Sequence, residues 1–419
     1  MSVATRRVAA ALFALLFAVG ALAVPPSAAD VRAATPDLTI VTTARYDVQP
    51  AHGRVKVTVD MTVRNRMRDT STRRYYFDRA FLAVLPGTSG FKLTSSGARP
   101  SVAVSRKAKD YTLLRFNLGR RLFSGKSAKY RLTFDLRDQG GSATRDVRVG
   151  DSLVTFPAWA YATDSTPGSS VVVVFPEGYT IDVQGSTLPK PTVDGEGRTI
   201  FRSGTLDRPL GFYAYFVGDR EGAYAARTVA TTVHDEPVEV VVRAWREDAP
   251  WGERVAGLFE RALPALGERI GLPWPRDGGL VVQEAVTRST GGYAGLFDPN
   301  RGHVDVAYSA DDFVALHEAA HAWFNGELLV DRWALEGFAS YYALAVAGDL
   351  EVKATPEELT DALLEARIPL NAWGPIGRED AVVEDYAYAA TLELARRIAE
   401  RAGDDGLQAV WAAAAGGEG

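Results

Sequence analysis

Histidine and glutamate concentrate in one stretch of this sequence, ALHEAAHAWFNGELLVDRWALEGFASYYA, which covers residues 315–343 and holds two of the chain's five histidines. His317 and His321 are four positions apart, so on a helix both imidazoles emerge from one face with Cβ atoms about 5–6 Å apart. Two imidazoles placed in this way can bind one zinc ion. Glu318 is rotated by about 100° from His317 around the helix axis and can reach a water beside the metal, as a general base requires.

A catalytic zinc site needs a third protein ligand and an open fourth position. Glu336 is the predicted third ligand, early in a second helix that begins near residue 332. Glu327 is the competing candidate, but it directly follows Gly326, where the first helix is expected to end because glycine tolerates left-handed backbone. With Glu327 facing solvent, the pattern predicts one zinc ion held by His317, His321 and Glu336.

The alternative is a pair of buried histidines satisfied by hydrogen bonds alone. Histidine is scarce here, and a chance H-E-x-x-H is expected in on the order of one in a few hundred chains of this composition. The metal hypothesis is therefore favoured. Ser309, three residues before Asp312, forms a capping-box signature that predicts the start of the first helix just ahead of Phe313.

Composition bounds the chemistry. A chain of 419 residues is long enough for two or three domains, and its 47% apolar and 24% charged residues are typical of an ordinary globular protein. A net charge of −5 gives no electrostatic case for nucleic acid, since the sequence shows no evident basic stripe. The absence of cysteine excludes disulfides, thiolate metal sites and a cysteine nucleophile, so any metal must be held by imidazole and carboxylate.

The amino terminus resembles an export signal. Arg6 and Arg7 precede an apolar run over residues 8–24, followed by small residues, which is the order of a secretory leader over residues 1–29, cut near Ala29 or Ala23. An uncleaved membrane anchor is the alternative. Either way the expected location is secreted or cell-surface, with membrane anchoring only if the leader is retained.

Two regions follow the leader. Residues 30–226 are predicted to form an antiparallel β-sandwich or saddle, because apolar residues alternate with polar ones at Val55, Val57, Val59, Met61 and Val63, and again at Tyr130, Leu132, Phe134 and Leu136. Residues 227–419 begin with a strand over 238–245 and a helix over 251–270, in which Pro264 predicts a kink or a boundary. A buried strand over 279–286 and mostly helical sequence after Phe313 complete a multidomain α+β protein.

The motifs together resemble the aminopeptidase N family of gluzincin zinc metallopeptidases. HEAAHAWF is similar to the family's H-E-x-x-H-x-W-F, LEGFASYYA to its N-E-G-F-A segment, and GLPWPRDGGLVVQEAV to the strand leading to its active site. The resemblance implies a thermolysin-like catalytic domain after the β-domain. It also implies that His317, His321 and Glu336 are zinc ligands and that Glu318 is the base.

The family also uses a tyrosine, in a Y-x-K-G-A pattern, to stabilise the oxyanion of the tetrahedral intermediate. Here the resemblance points to Tyr386 in DYAYAATLEL, with Ala389 and Ala390 at the Gly-Ala positions. Tyr388, at the lysine position, is the rival. Two tyrosines two apart on a helix face different sides, so one of them is expected to serve.

Two departures from the family pattern matter. Only 14 residues separate His321 from Glu336, a shorter connection than is usual in the family. The family's G-x-M-E-N segment aligns with GGYAG over 291–295, where Ala294 stands in place of the glutamate that binds the substrate's free α-amine. The glycine-rich stretch, taken as a strand, could still hydrogen-bond a peptide backbone, which makes Gly291, Gly292 and Tyr293 the predicted substrate-binding residues. Glu284, Asp298 and Asp305 are the possible replacements for the lost carboxylate.

The leading hypothesis is an exported zinc metallopeptidase that hydrolyses peptide bonds through a zinc-activated water, aminopeptidase-like by family. An endopeptidase or oligopeptidase without free-amine recognition is the close alternative. A non-catalytic binding protein on a peptidase fold, or a zinc hydrolase with a non-peptide substrate, are weaker ones. The expected partner is a peptide substrate and no nucleic acid.

Overall fold

The structure, a computed structural model, describes residues 37–142, 145–163, 166–220, 222, 224–375 and 378–416. These residues divide into two units, one reaching to Gly222 and one from residue 224 onward. The predicted leader over residues 1–29 lies outside the described residues. Among the residues that are described, no helix is long and apolar enough to cross a membrane.

Strands make up nearly all of the first unit, in three sheets. The strands of this unit have these bounds: β1 Leu38–Gln49, β2 Arg54–Asn65, β3 Tyr76–Val84, β4 Thr88–Thr94, β5 Ser101–Lys107, β6 Thr112–Phe123, β7 Ser127–Arg137, β8 Arg148–Val149, β9 Leu153–Trp159, β10 Ser170–Phe175, β11 Thr180–Gly185, β12 Thr192–Val193, β13 Thr199–Arg202 and β14 Tyr213–Asp219. They form a seven-stranded sheet in the order β12-β13-β10-β1-β2-β7-β4, a four-stranded sheet in the order β11-β14-β9-β8, and a three-stranded sheet in the order β3-β6-β5. The pairing is antiparallel except between β1 and β10, which run parallel. The expectation of a wholly antiparallel unit is wrong at this pair.

The alternation read from the sequence is confirmed on β2 and β7. The predicted inward residues are buried on both strands, and they join one core with inward residues of the other sheets. Period-two patterning places every second side chain on one face, so burial of that face fixes the register of the neighbouring strands.

The second unit is a mixed sheet with helices. Strands β15 Tyr224–Val233, β16 Glu236–Trp245, β17 Leu280–Ala285, β18 Gly295–Asp298 and β19 His303–Ala307 pair in the order β15-β16-β17-β19-β18. β16, β17 and β19 run parallel, and the outer strands β15 and β18 run antiparallel. The predicted boundary between residues 226 and 227 falls inside β15, so the unit begins a few residues earlier than the sequence suggested.

Five helices accompany this sheet: α1 Ala249–Ile270, α2 Asp312–Ala320, α3 Arg332–Asp349, α4 Asp361–Leu364 and α5 Ala381–Ala415, the last kinked at Gly403. α1 runs unbroken through Pro264, so of the two predicted alternatives, a kink or a boundary, the boundary is wrong. Proline removes the N–H that would bond the carbonyl of Glu260 four residues earlier. The hydroxyl of Thr231 donates to that carbonyl instead, at 2.9 Å.

Both ends of α2 differ from expectation. Asp311, and not Ser309, caps its start, with the carboxylate accepting from the N–H of Val314 at 3.3 Å. The helix ends at Ala320, and Gly326 is absent from the left-handed glycines, so it is not a left-handed C-cap. α3 begins at Arg332, as predicted.

Candidate metal centre

Three predicted ligands meet at one point. His317 Nε2 lies 3.0 Å from His321 Nε2 and 3.1 Å from Glu336 Oε2, and His321 Nε2 lies 3.4 Å from the same oxygen. Ligand atoms about 2.0–2.1 Å from a tetrahedral zinc ion are themselves about 3.3 Å apart. The near-equal triangle of two imidazole nitrogens and one carboxylate oxygen therefore fits zinc in both size and chemistry.

The far side of each imidazole is held by a hydrogen bond. His321 Nδ1–H donates to the carbonyl of Phe324 at 2.8 Å, and His317 Nδ1 lies 3.1 Å from Ser340 Oγ. A hydrogen on Nδ1 leaves the Nε2 lone pair for a cation, and fixes the ring orientation at the same time. Ser340 lies one turn after Glu336 on α3, so a single helix face supplies both a ligand and a ligand's support.

The short connection between α2 and α3 is pinned by buried aromatic residues. Trp323 donates its indole N–H to the carbonyl of Pro273 at 2.9 Å. Phe324 is fully buried and stacks on Tyr342 of α3, with ring centroids 5.3 Å apart. These anchors return the chain tightly, so Glu336 reaches the histidines across the 14-residue connection. Glu327 is exposed and takes no part in the cluster.

Neighbouring charges within the cluster shift the pKa values of His321 and Glu336. Burial lowers the pKa of His321, but the Glu336 carboxylate, together with Glu318 and the carbonyl of Phe324, raises that pKa overall to about 9. Burial alone would raise the pKa of Glu336, yet the charge of His321 and hydrogen bonds from both histidines hold it well below its ordinary value. The raised pKa of His321 means that this imidazole holds its proton strongly, and a divalent cation must displace that proton on binding.

Glu318 is buried beside this cluster and touches strand β18. Burial raises the pKa of its carboxyl, while the charges of His317 and His321 oppose the rise. The backbone N–H of Phe297 on β18 donates to the carboxylate. A Cβ at Gly295 would lie 2.4 Å from Glu318 Oε1, so only glycine fits at this contact. The carboxylate is therefore held by the edge strand in one position.

Helix α5 brings a tyrosine and an acid to the other side of the cluster. Gly337 permits the approach, because a Cβ there would lie 2.8 Å from the carbonyl of Thr391. The ring of Tyr388 lies 6.3 Å from that of His317, and its hydroxyl accepts from Arg332 at 3.4 Å. Burial raises the pKa of Tyr388 well above its ordinary value, with Glu336 and Glu318 adding to the rise.

Arg332 links these groups. Its guanidinium binds both carboxylate oxygens of Glu384, at 3.1 and 2.9 Å, and stacks 3.9 Å from the ring centroid of Trp373. Its Nε lies 3.8 Å from Glu336 Oε1, the oxygen turned away from the histidines. Arg332 thus orients the ligand carboxylate and the tyrosine hydroxyl together.

The structure separates the two tyrosine candidates. Tyr388 lies against His317 and Arg332, whereas the described residues give Tyr386 no hydrogen bond, ion pair or ring contact. The arrangement favours the rival of the predicted residue. The Y-x-K-G-A pattern pointed to Tyr386 because a motif fixes positions in sequence, while the direction in which α5 faces the site depends on packing.

The predicted substrate-binding segment is a turn and not a strand. Gly291 and Gly292 adopt left-handed backbone, with φ of 67° and 101°. Thr290 ties the turn to itself, because its single hydroxyl hydrogen is shared between the carbonyls of Thr287 and Tyr293. The residues lead directly into β18, so they lie next to the strand that touches Glu318, and none is brought into the metal cluster.

The three candidate replacements for the missing carboxylate are engaged elsewhere. Glu284 is fully buried in the sheet and accepts from the N–H of Trp245 at 2.9 Å. Asp298 accepts from the N–H of Asn300 at 3.0 Å, within its own turn. Asp305 lies 3.2 Å from the neighbouring His303 on β19. The described ligand cluster consists of His317, His321 and Glu336 and includes none of the three.

Sequence reasoning missed Ser340, Arg332 and Glu384. Ser340 carries a detectable signal, since it follows Glu336 by four residues and so shares its helix face. Arg332 and Glu384 are 52 residues apart, and nothing in their local sequence shows that they pair. Tertiary packing alone reveals that contact.

Comparisons with known proteins give structural matches only. No protein-family model matches the chain, and no curated protein matches it. An M1 zinc metallopeptidase from Deinococcus radiodurans is 19% identical over 91% of this chain and 87% of its own, with a TM-score of 0.35. A mutant of that enzyme bound to a Tyr-Ser-Ala substrate is 19% identical over 90% and 86%, with a TM-score of 0.33. A two-domain M1 zinc metallopeptidase mutant bound to L-tryptophan is 18% identical over 91% and 87%, also at 0.33. At these TM-scores, inference of function depends on the chain's own geometry.

Proposed function

We propose that this protein is a zinc metallopeptidase that hydrolyses peptide bonds. The observation that supports this most is the triangle of His317, His321 and Glu336, with sides of 3.0, 3.1 and 3.4 Å, beside the buried carboxylate of Glu318. A purely structural cluster would not need a second acid held against it by an edge strand. Export through the leader over residues 1–29 is part of the proposal, and the amino-terminal residue of the protein recovered outside the cell tests it.

When bound, zinc acts as a Lewis acid towards the substrate carbonyl and lowers the pKa of a bound water. Glu318 accepts a proton from the attacking water, and burial, which raises the pKa of its carboxyl, makes it a stronger base for that step. The same carboxyl then delivers the proton to the departing amine. Ser340 and Phe324 keep the two imidazoles oriented throughout.

Tyr388 is the proposed donor to the developing oxyanion. Its hydroxyl accepts from Arg332, which leaves its own O–H to donate. Its raised pKa keeps the hydroxyl protonated at neutral pH. A protonated phenol held by a partly buried arginine is a preorganised donor, and such a donor stabilises negative charge without reorganising.

At the substrate's amino end, the surroundings of Ala294 favour an endopeptidase or oligopeptidase over an aminopeptidase. The expected amine-binding glutamate is Ala294, and the three nearby acids are engaged elsewhere. We therefore infer cleavage that does not require a free α-amine, as in an endopeptidase or oligopeptidase. Comparing each cleaved peptide with its N-acetylated form tests this: equal rates are expected, and loss of cleavage on acetylation would restore the aminopeptidase assignment.

The chemistry itself is tested with Glu318→Gln. Purified protein loaded with zinc is assayed against a library of fluorogenic peptides, with zinc content measured by mass spectrometry. Loss of turnover with zinc retained is expected, because the amide cannot accept the proton. Glu327→Gln, in the exposed turn nearby, is the matched control and retains activity. Undiminished turnover in Glu318→Gln would refute the proposed mechanism.

A further inference from the structure

Positive charge is concentrated in one segment of the first unit. Residues 64–131 contain 17 arginines and lysines and only three acids, Asp69, Asp78 and Asp110, although the whole chain has 47 basic and 52 acidic residues. All 17 of these basic residues are exposed. The expectation of no basic stripe, drawn from the net charge of −5, is therefore wrong for this segment.

Strand pairing places several of these cations on one surface, the outer face of the three-stranded sheet β3-β6-β5. The cross-strand rows on this face are Arg79, Asn117 and Ser101; then Phe81, Arg115 and Ala103; then Ala83, Leu113 and Arg106. The intervening residues, such as Leu82 and Phe116, are buried on the inner face. The three arginines therefore lie diagonally across an uncovered sheet surface.

Aromatic side chains share this face with the cations. Phe81 is 51% exposed, and Tyr76 and Phe123 are each 42% exposed. Tyr76 and Phe123 pair across β3 and β6 with ring centroids 5.8 Å apart, and the guanidinium of Arg121 lies 4.8 Å from the Tyr76 ring. Exposed aromatic groups next to arginines are unfavourable in water and favourable at a lipid headgroup layer.

Few acids oppose the cations. Among the described residues, Asp78 is the one acid that pairs with a cation of this face, 3.9 Å from Arg79, and both side chains are more than half exposed. Arg106, Arg115 and Arg121 form no ion pair within the described residues. Their charge therefore remains available to an external anionic surface.

We propose that the outer face of β3-β6-β5 binds the surface of a membrane rich in anionic phospholipid. The cations would attract the headgroups, and Phe81, Tyr76 and Phe123 would enter the interfacial layer. A single-stranded nucleic acid is the competing polyanion. The centre of the face favours lipid, because Phe81, Ala83, Ala103 and Leu113 offer apolar contact and little hydrogen bonding to bases.

The test is co-sedimentation of the full-length protein with vesicles of phosphatidylcholine alone and of an equal mixture with phosphatidylglycerol. Binding to the anionic vesicles only is expected, and it should disappear at about 1 M salt, where the screening length falls to about 3 Å. Each arginine near an anionic surface contributes about five-fold in affinity, so R79Q/R106Q/R115Q should weaken binding by about 100-fold. Phe81→Ser should weaken binding without changing its salt dependence.

The matched control is R243Q/R396Q/R401Q, which neutralises three exposed arginines of the second unit. It should bind the anionic vesicles as the wild type does. Circular dichroism checks that both triple variants are folded. Equal binding to both vesicle types, no binding to either, or an unaffected R79Q/R106Q/R115Q would each overturn the proposal. Tighter binding of a single-stranded oligonucleotide than of the anionic vesicles would replace lipid by nucleic acid.

Discussion

Gly295 controls the position of the proposed general base, so Gly295→Ala is a sharp test of the site. A Cβ at this residue would lie 2.4 Å from Glu318 Oε1, 2.6 Å from its Cγ and 2.8 Å from its Cδ. Ordinary contacts begin at 3.4 Å, so the carboxylate must move by about 1 Å. Because Cγ is also in contact, a change at the carboxylate end alone does not relieve the clash.

The expected loss follows from this displacement. Misplacing a catalytic group by about 1 Å costs about 100-fold in rate, or about 2.7 kcal/mol of transition-state stabilisation. Since Glu318 is not one of the three ligands, zinc content should stay stoichiometric. The loss should fall on kcat, because Glu318 acts in the chemical step. The backbone of Gly295 is not left-handed, so alanine adds only the side-chain clash.

The assay is steady-state hydrolysis of a fluorogenic peptide that the wild type cleaves, with zinc content and thermal melting measured on the same samples. Gly326→Ala is the control, because a Cβ there meets nothing within 4 Å and its backbone is not left-handed. Its kcat/KM should stay within about two-fold of wild type. Wild-type kcat/KM in a folded, zinc-loaded Gly295→Ala protein would show that Glu318 is not the base held by β18.

Three further predictions concern the ligands and the donor. Ser340→Ala removes the partner of His317 Nδ1 and should weaken zinc binding by about 10-fold or more, measured by competition with a chromogenic chelator; unchanged affinity would show that Ser340 does not hold the ring. Tyr388→Phe should lower kcat by about 100-fold with little change in KM, while Tyr386→Phe should leave kcat near the wild-type value. A large loss of kcat in Tyr386→Phe and none in Tyr388→Phe would show that Tyr386 is the oxyanion donor. Chelation should lower the melting temperature of the wild type, because zinc at 100 times its Kd stabilises the folded protein by about 2.7 kcal/mol; a His317→Ala variant should show no such dependence on zinc.

Much of the site could be predicted because its spacing is local. The histidines are four apart on one helix, and Glu336 follows after a tight turn, so periodicity and a short connection suffice to place them. In the first unit, alternation identified β2 and β7 for the same reason. These features depend on distances of a few residues along the chain, which the sequence states directly.

The errors arose where a second residue, distant or nearby, competed with a local preference. Pro264 predicts a kink or a boundary by its own chemistry; Thr231 on β15 supplies a donor to the carbonyl of Glu260, and no boundary forms because the helix continues. Ser309 has the capping-box spacing, yet Asp311 lies closer to the first turn and takes the cap. Local rules give the preference of each residue, and packing decides among residues with similar preferences.

The same distinction between local preference and packing explains why the sequence could not decide between Tyr386 and Tyr388. It also explains why the net charge did not reveal the basic surface of the first unit. Both tyrosines of α5 satisfy the chemistry of a donor, and the direction of that helix depends on the close approach at Gly337 and on the pairing of Arg332 with Glu384. Net charge fails in a related way, since it averages over the whole chain. The acids outside residues 64–131 hide a surface on which cations face solvent together. Charge counted along each strand face, and not over the chain, would have revealed it, because strand pairing brings residues of similar exposure into one row.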